Sequence, residues 1–451
     1  MKPRTFFVGA GKAAVYLRIA FAIPFRYARR PGALRDPAGF VRFLVRALRL
    51  LLVFRHNKIV RTLRGFKLHL YLPAYPSPAF FHALDAKLRR APPGPTTVVF
   101  SMTRACEYRC RHCYQRRDGG PDVDEERLIR TARAVRDAGV AFFNIEGGEP
   151  LLRFDRLLRL VRALDERCEI WVNTTGARAD PGRLEALKDA GVFGLIVSIH
   201  SPDPSLHDGV TGVPGSFDTA VDALRRWRAL GGATAINSVL AEDELRRGAL
   251  DDLMRLARAL ACDYVQLIHP KPAGDWMGRT DGMQTDAALL EFVRREHRRY
   301  NGRGRPDDAA LAAQVFEESA DVLGCTAGGV DRFYVNAEGE VQPCEFLNLS
   351  FGNVNAEPFE TIFARMRSYF RVPGTHWLCC TQAAEIHRQF REHGLKKTPL
   401  PPALSQALAA RWDPGPPTGI YQRLGIYRRA GARPGEAGGA PVGAAGEERR
   451  P

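Results

Sequence analysis

Thr97-Val98-Val99-Phe100-Ser101-Met102 reads as a buried strand, and the loop behind it carries Cys106-Glu107-Tyr108-Arg109-Cys110-Arg111-His112-Cys113. This C-x3-C-x2-C triplet decides the reading of the chain. Three thiolates on one short loop can hold three corners of a cubic iron–sulfur cluster. The fourth iron then lacks a protein ligand and is open to chemistry. Zinc fits less well, because structural zinc sites pair C-x2-4-C with a second pair of Cys or His ligands. His112 lies between two of the cysteines and reads as a loop residue.

Working outward, Gly147-Gly148-Glu149-Pro150 follows the next strand, 34 residues after Cys113. From residue 96 the chain alternates strands with helices. Strands are expected at 97–102, 140–145, 169–173, 193–198, 234–239 and 264–268. Helical runs lie near 123–138, 153–166, 182–190, 216–230 and 246–260, with Ser216 as an N-cap and Asp180-Pro181 as a helix start. This order implies βα units and a parallel sheet. In βα barrels the chemistry sits at the carboxyl ends of the strands. Asn173, Ser198, His200, Asn237, Gln266 and His269 all fall at or near such ends.

Triplet and turn together resemble the radical S-adenosylmethionine (radical SAM) superfamily. The resemblance implies an α/β fold, a partial (β/α)6 TIM-like barrel. It implies a three-cysteine 4Fe-4S cluster on Cys106, Cys110 and Cys113 that binds S-adenosylmethionine through the open iron. A GGE-type turn, here Gly147, Gly148, Glu149 and Pro150, would bind the methionine amino group. Asn173, Ser198 and Asn237 would help hold the cofactor. His200 and His269 would face the substrate or donate a proton, with a structural histidine as the alternative for each. The reaction implied is reductive cleavage of S-adenosylmethionine to a 5′-deoxyadenosyl radical that abstracts hydrogen. A flavodoxin or ferredoxin would supply the electron, and Arg104, Arg109, Arg111, Arg116 and Arg117 suit an acidic donor.

Four further cysteines, Cys325, Cys344, Cys379 and Cys380, lie in the C-terminal part, with a hairpin expected over 333–342 and a helix near 357–370. They resemble the auxiliary-cluster extensions called SPASM and twitch domains. A full SPASM domain carries seven cysteines, so four imply one auxiliary iron–sulfur cluster. Cys325 and Cys344 are read as ligands, together with at least one of Cys379 and Cys380. Cys168 and Cys262 stand alone beside apolar strands and read as core residues.

Composition sets the frame. The chain has 451 residues, 45% of them hydrophobic, enough for more than one domain and too many for a disordered protein. Nine cysteines clustered in this way form a metal pattern and not a disulfide framework, which places the chain in a reducing cytoplasm. No signal peptide and no spanning helix is expected. The net charge of +16 is unevenly spread. Residues 1–90 hold 19 Lys and Arg against Asp36 and Asp85, whereas the rest of the chain is close to neutral. Residues 39–54 read as an amphipathic helix with Arg42, Arg46 and Arg49 on one stripe and Phe40, Phe43, Leu44, Leu48, Leu51, Leu52 and Phe54 around it. Such a helix suits an anionic membrane surface on the inner face. Plain packing comes second and nucleic acid last, because apolar rather than polar residues separate the cations.

The expected organisation is therefore a basic amphipathic segment over 1–57, a hairpin, helix and Pro-rich linker over 58–95, the barrel over 96–300, an auxiliary-cluster domain over 301–428 and a disordered tail over 429–451. The expected function is hydrogen abstraction from a hydrophobic or lipid-linked substrate. The alternatives are a peptide maturase, then an RNA-modifying enzyme, then an iron–sulfur scaffold without turnover.

Overall fold

A computed structural model of the chain describes residues 5–29, 35–90, 92–279, 283 and 285–427. The expected tail over 429–451 lies outside the described residues.

The chain opens with β1 (Thr5–Phe7), α1 (Gly9–Ala28), α2 (Pro37–Leu52), β2 (Ile59–Thr62), β3 (Gly65–Lys67) and α3 (Pro78–Leu88). The first three strands form a small antiparallel sheet. Its β2–β3 hairpin turns through Leu63 and Arg64, with Thr62 opposite Gly65. α2 starts where Asp36 accepts the Gly39 N–H at 2.8 Å, with Pro37 in its first turn.

The six expected strands are present as β4 (Thr97–Ser101), β5 (Phe142–Glu146), β6 (Glu169–Thr174), β7 (Gly194–Ser198), β8 (Ala233–Val239) and β9 (Tyr264–Ile268). All pair in parallel, in chain order. They are buried almost throughout, as a sheet covered on both faces requires. The connecting helices are α4 (Glu125–Asp137), α5 (Phe154–Ala163), α6 (Pro181–Asp189), α7 (Pro204–Thr211), α8 (Ser216–Ala229), α9 (Glu242–Arg246) and α10 (Ala249–Ala259). α6 is capped by Asp180 as expected, its side chain accepting the Arg183 N–H. α8 is not capped by Ser216. Gly215, at φ 78°, is the N-cap, and the Ser216 hydroxyl donates instead to Asp208 at 2.8 Å.

The sheet does not stop at residue 300. After α11 (Ala287–Asn301), β10 (Ala310–Ala313) adds in parallel to β9. β11 (Arg332–Val335) adds in parallel to β4 and pairs with β12 (Val341–Gln342) as the expected hairpin. The result is one nine-stranded sheet, in the order β10-β9-β8-β7-β6-β5-β4-β11-β12. A boundary at 300 thus finds no break in the sheet.

Residues 58–75 are more than a connection. Val60, Leu70 and Ala74 pack with Phe142, Trp171, Ile196, Ala235 and Tyr264, the inner face of the partial barrel. Lys67 is fully buried there, 2.5 Å from Glu169, with the Phe142, Trp171 and Phe193 rings around it. Glu169 is completed by the Ala74 N–H and the Trp171 indole. This plug fills the barrel interior, leaving its strand-end rim open.

The Arg stripe of α2 is used differently from the expectation. Arg46 and Arg49 donate to the Gly425 and Arg423 carbonyls at the end of the helix Gly419–Leu424. The large apolar residues of α2 left exposed are Val41, Val45, Leu48 and Leu52, and Arg42 and Arg49 of the stripe are exposed as well. On α1, Leu17, Phe21 and Phe25 are exposed at i, i+4 and i+8, each more than half accessible. Among the described residues no helix is long and apolar enough to cross a membrane.

Candidate active site

Backbone geometry fixes the cysteine loop to the strand ends. The loop runs from β4 over the rim, where Arg109 and Arg111 donate their N–H groups to Thr211 and Val210 at the end of α7. The Gly147-Gly148 turn holds it from the other side. Gly148 N donates to Thr103 O, and Glu149 N to Ala105 O, each at 2.7 Å. Neither glycine tolerates a side chain: a Cβ would stand 2.4 Å from the Thr103 oxygen at Gly147 and 2.2 Å from the Ala105 oxygen at Gly148. Gly147 also has φ +155°. The turn is glycine because two loops touch backbone to backbone.

Cys106, Cys110 and Cys113 all line one cavity of about 290 Å3. Burial pushes Cys110 up to about 12 and Cys113 up to about 11, and the charges of the other thiols push in the same direction. Three thiolates so close repel one another unless a cationic group neutralises them. Among the described residues, no three of His, Cys, Asp and Glu are placed to hold a single metal ion. The donor set of three thiols on one cavity wall fits a cluster rather than a zinc ion.

Gly147, Gly148, Asn173, Ser198, His200, Asn237 and His269 line the same cavity. Buried side-chain oxygens of Asn144, Asn173 and Asn237 have no hydrogen-bond partner. Such unsatisfied polar atoms around a cavity mark a polar ligand's place, as the ammonium and hydroxyls of S-adenosylmethionine require. Glu149 and Pro150 are not in the lining. The Glu149 carboxylate is fully buried and turned to the end of β6, accepting from Leu151 N, Thr174 Oγ1, Thr175 N and Thr175 Oγ1 at 2.6–3.0 Å. It braces the turn from beneath.

His200 and His269 are both shifted toward the neutral imidazole. Burial holds His200 well below the usual imidazole range, and the facing His112 ring, 4.4 Å away, adds to this. Burial, then Lys271, brings His269 down to about 3.

Several lining residues were not expected from sequence. Glu146 ends β5, accepting from Gln115 at 3.2 Å and Asn173 at 3.3 Å. Burial raises its carboxyl well above the ordinary value, and Glu345 raises it further. Its signal was parity: Asn144 and Glu146 alternate on one face of β5. Tyr71 enters from the plug and bonds Gln266 at 2.5 Å. Lys271 is buried, its ammonium has no hydrogen-bond partner, and it lies 3.4 Å from the Trp377 ring centroid. Cation–π attraction holds it there without neutralising it.

The second cysteine group lies behind Glu345 and Phe346, which close the cavity from the C-terminal part. Cys325 exchanges backbone hydrogen bonds with Gly374, and its sulfur faces the Ala327 and Leu378 N–H groups. Cys344 donates to Glu345 at 3.1 Å. Cys379 and Cys380 sit on the short helix Leu378–Thr381. A hydrogen bond between them lowers Cys380 and raises Cys379, and the charges of Cys344 and Lys271 reach Cys379 too. The four thiols are within electrostatic reach of common neighbours, which fits one shared cluster. Arg104 and Arg116 reach the cavity edge, and Arg109 and Arg111 are exposed beside it. Cys262 is buried and Cys168 half-buried, both in the core.

The sequence model of the Radical SAM superfamily matches residues 100–254, and that of SPASM, an iron–sulfur cluster-binding domain, matches residues 325–382. An AdoMet-dependent heme synthase of Nitratidesulfovibrio vulgaris is 25% identical over 299 residues, 61% of this chain and 80% of its own. The PqqA peptide cyclase of Rhodopseudomonas palustris is 25% identical over 299 residues, 63% of this chain and 77% of its own. The solved structure of Streptococcus suis SuiB bound to precursor peptide SuiA superposes with a TM-score of 0.50 at 18% identity. That likeness covers 60% of this chain and 64% of SuiB, and concerns the fold.

Proposed function

The chain is a radical SAM enzyme with a C-terminal iron–sulfur cluster-binding domain, and from that premise we propose that it modifies a peptide by hydrogen abstraction. Lys271 carries the proposal. A buried ammonium with no hydrogen-bond partner on the cavity wall, in the field of Glu318, Cys379 and Cys380, suits a carboxylate, such as a peptide side chain or C-terminus. The name of the PqqA peptide cyclase, which pairs with this chain at 25% identity, supports the same substrate class.

When bound, the three-cysteine cluster and S-adenosylmethionine supply an electron and an abstracting radical. The chain's residues do the rest. Cys106, Cys110 and Cys113 hold the cluster. Gly147 and Gly148 present backbone to the cofactor, while Asn173, Ser198 and Asn237 hold its polar groups. His200 and His269 shape the substrate side. Tyr71, Trp276 and Phe346 exclude water from it. Cys325, Cys344, Cys379 and Cys380 hold one auxiliary cluster. Arg109 and Arg111 meet an acidic flavodoxin or ferredoxin.

A second reading is favoured by the exposed apolar faces of α1 and α2: the enzyme works on the inner face of an anionic membrane, on a hydrophobic or lipid-linked substrate. The test compares cells expressing the intact protein with cells expressing Cys110→Ala, using mass spectrometry of both peptide and lipid extracts. A peptide mass change that depends on Cys110 supports the first reading. A change confined to lipids replaces it with the second.

A further inference from the structure

α1 and α2 do not close on each other along their whole length. Between them runs a groove of about 750 Å3 that shares no lining residue with the cysteine-loop cavity. Ligand sites typically measure about 300–1,000 Å3. Its apolar walls include Ala13, Leu17, Ala20, Leu48 and Leu52. Leu17, Leu48 and Leu52 are exposed and continuous with the apolar stripes on the two helices.

One end of the groove is different. Lys12, Arg55, His56, Arg298 and Arg303 converge there, and no acidic residue is in the lining. Lys12 is spent on structure, donating to the Arg55 and Asn57 carbonyls at 2.5 Å. Arg55, Arg298 and Arg303 have no carboxylate partner among the described residues, although Arg294 and Arg299 of the same α11 helix do. The first turn of α1 opens at this end, with no acidic residue and no side-chain cap. Its free N–H groups add to the positive field. The surplus is felt locally: burial lowers His56, and Arg55, Arg298 and Lys12 lower it further.

An apolar trough ending in unpaired cations matches an amphiphile with an anionic head. We propose that this groove binds one anionic phospholipid of a bilayer, its acyl chain between α1 and α2 and its phosphate at Arg55, Arg298 and Arg303. This rests on the membrane-surface reading above. It adds a defined lipid site, separate from the catalytic cavity, that orients the enzyme on the membrane.

The full chain is floated with vesicles of phosphatidylcholine alone or with a quarter phosphatidylglycerol. It is then extracted into detergent, and retained lipid is measured by native mass spectrometry. The expected result is flotation only with phosphatidylglycerol, and one phosphatidylglycerol retained per chain. Arg298→Gln with Arg303→Gln should lower retention at least tenfold. Leu48→Trp, which fills the trough without changing charge, should lower it as well. Both variants should keep the parent's cleavage of S-adenosylmethionine, which shows that they fold. Flotation without retained lipid, equal retention by the variants, or equal retention of phosphatidylcholine would overturn the lipid site and leave the membrane reading standing. No flotation with phosphatidylglycerol vesicles would overturn both.

Discussion

Gly147 is where the conformation of one residue governs the site. Its φ of +155° and the Thr103 oxygen 2.4 Å from any Cβ leave no room for alanine. Strain of this kind costs about 1–3 kcal/mol, and here it would be relieved by moving the cysteine loop. Gly147→Ala should therefore lose iron from the first site. Iron per chain, measured in a background lacking the second cysteine group, checks this. Glu146 gives a pH signature. Its carboxyl titrates above 4.5 in the fold because it is buried, so the unfolded chain releases the proton first. Stability contributed by this group is present below pH 4.5 and is lost as pH rises toward the folded value. In the cluster-free protein, Glu146→Gln should gain on the parent by up to about 1.4 kcal/mol per pH unit across that window. Thermal midpoints of both proteins against pH read the difference. Lys271→Met should raise KM for a carboxylate-bearing peptide more than it changes kcat. The cysteines, the glycines, Asn173 and Asn237 were read from sequence because their types suit the chemistry or the turn, whereas Asn144, which lines the same cavity, was not. Glu149 was legible only as part of a motif. Its brace against Thr174 and Thr175 depends on a contact between neighbouring strand ends, which spacing does not display.

At the scale of elements, local pattern carries far and then stops. β4 to β9 were readable because buried parallel strands are continuous apolar runs separated by amphipathic helices. β10, Ala310-Leu311-Ala312-Ala313, is short and Ala-rich, without β-branched or aromatic residues, so despite the turn residues of 301–308 before it nothing in its own composition marks it as a strand. β11 was visible as half a hairpin, but its parallel pairing with β4 joins residues more than 230 positions apart. The plug over residues 58–75 was read as a hairpin and linker. What reveals its place is the buried pair of Lys67 and Glu169. Removing one partner of a buried pair typically costs about 3–5 kcal/mol. Lys67→Met should fall in that range by urea unfolding, with the loss of barrel cooperativity visible in the tryptophan signal of Trp171. The Arg stripe of α2 likewise has its meaning in a distant partner. Arg46→Gln with Arg49→Gln removes two donors from the carbonyl end of the helix Gly419–Leu424, where each charge is worth about 0.3–1 kcal/mol. Faster hydrogen exchange in residues 419–424, with the barrel unchanged, is the expected result.

Across the whole molecule, one sheet organises three functions. Its carboxyl rim carries the cysteine loop and the cofactor cavity. Its β11–β12 edge leads into Cys344 and the second cysteine group, so the auxiliary site is tied to the barrel by strand pairing rather than by a flexible joint. Its concave face is filled by the plug, which leads back to α1 and α2 and their exposed apolar surface. Of the positive charge read in the first 90 residues, Lys58, Lys67 and Lys87 are buried, whereas Arg42, Arg49 and Arg55 stay exposed on the side of α1 and α2. The central claim is that Cys106, Cys110 and Cys113 alone hold the cluster that cleaves S-adenosylmethionine, with the second group serving a later step. The direct test is 5′-deoxyadenosine formation by the anaerobically reconstituted, reduced protein, compared with Cys110→Ala and Cys344→Ala. Formation by the parent and by Cys344→Ala, and none by Cys110→Ala, is the expected result. Formation by Cys110→Ala at the parent's rate, or none by a parent carrying its full iron, would contradict it.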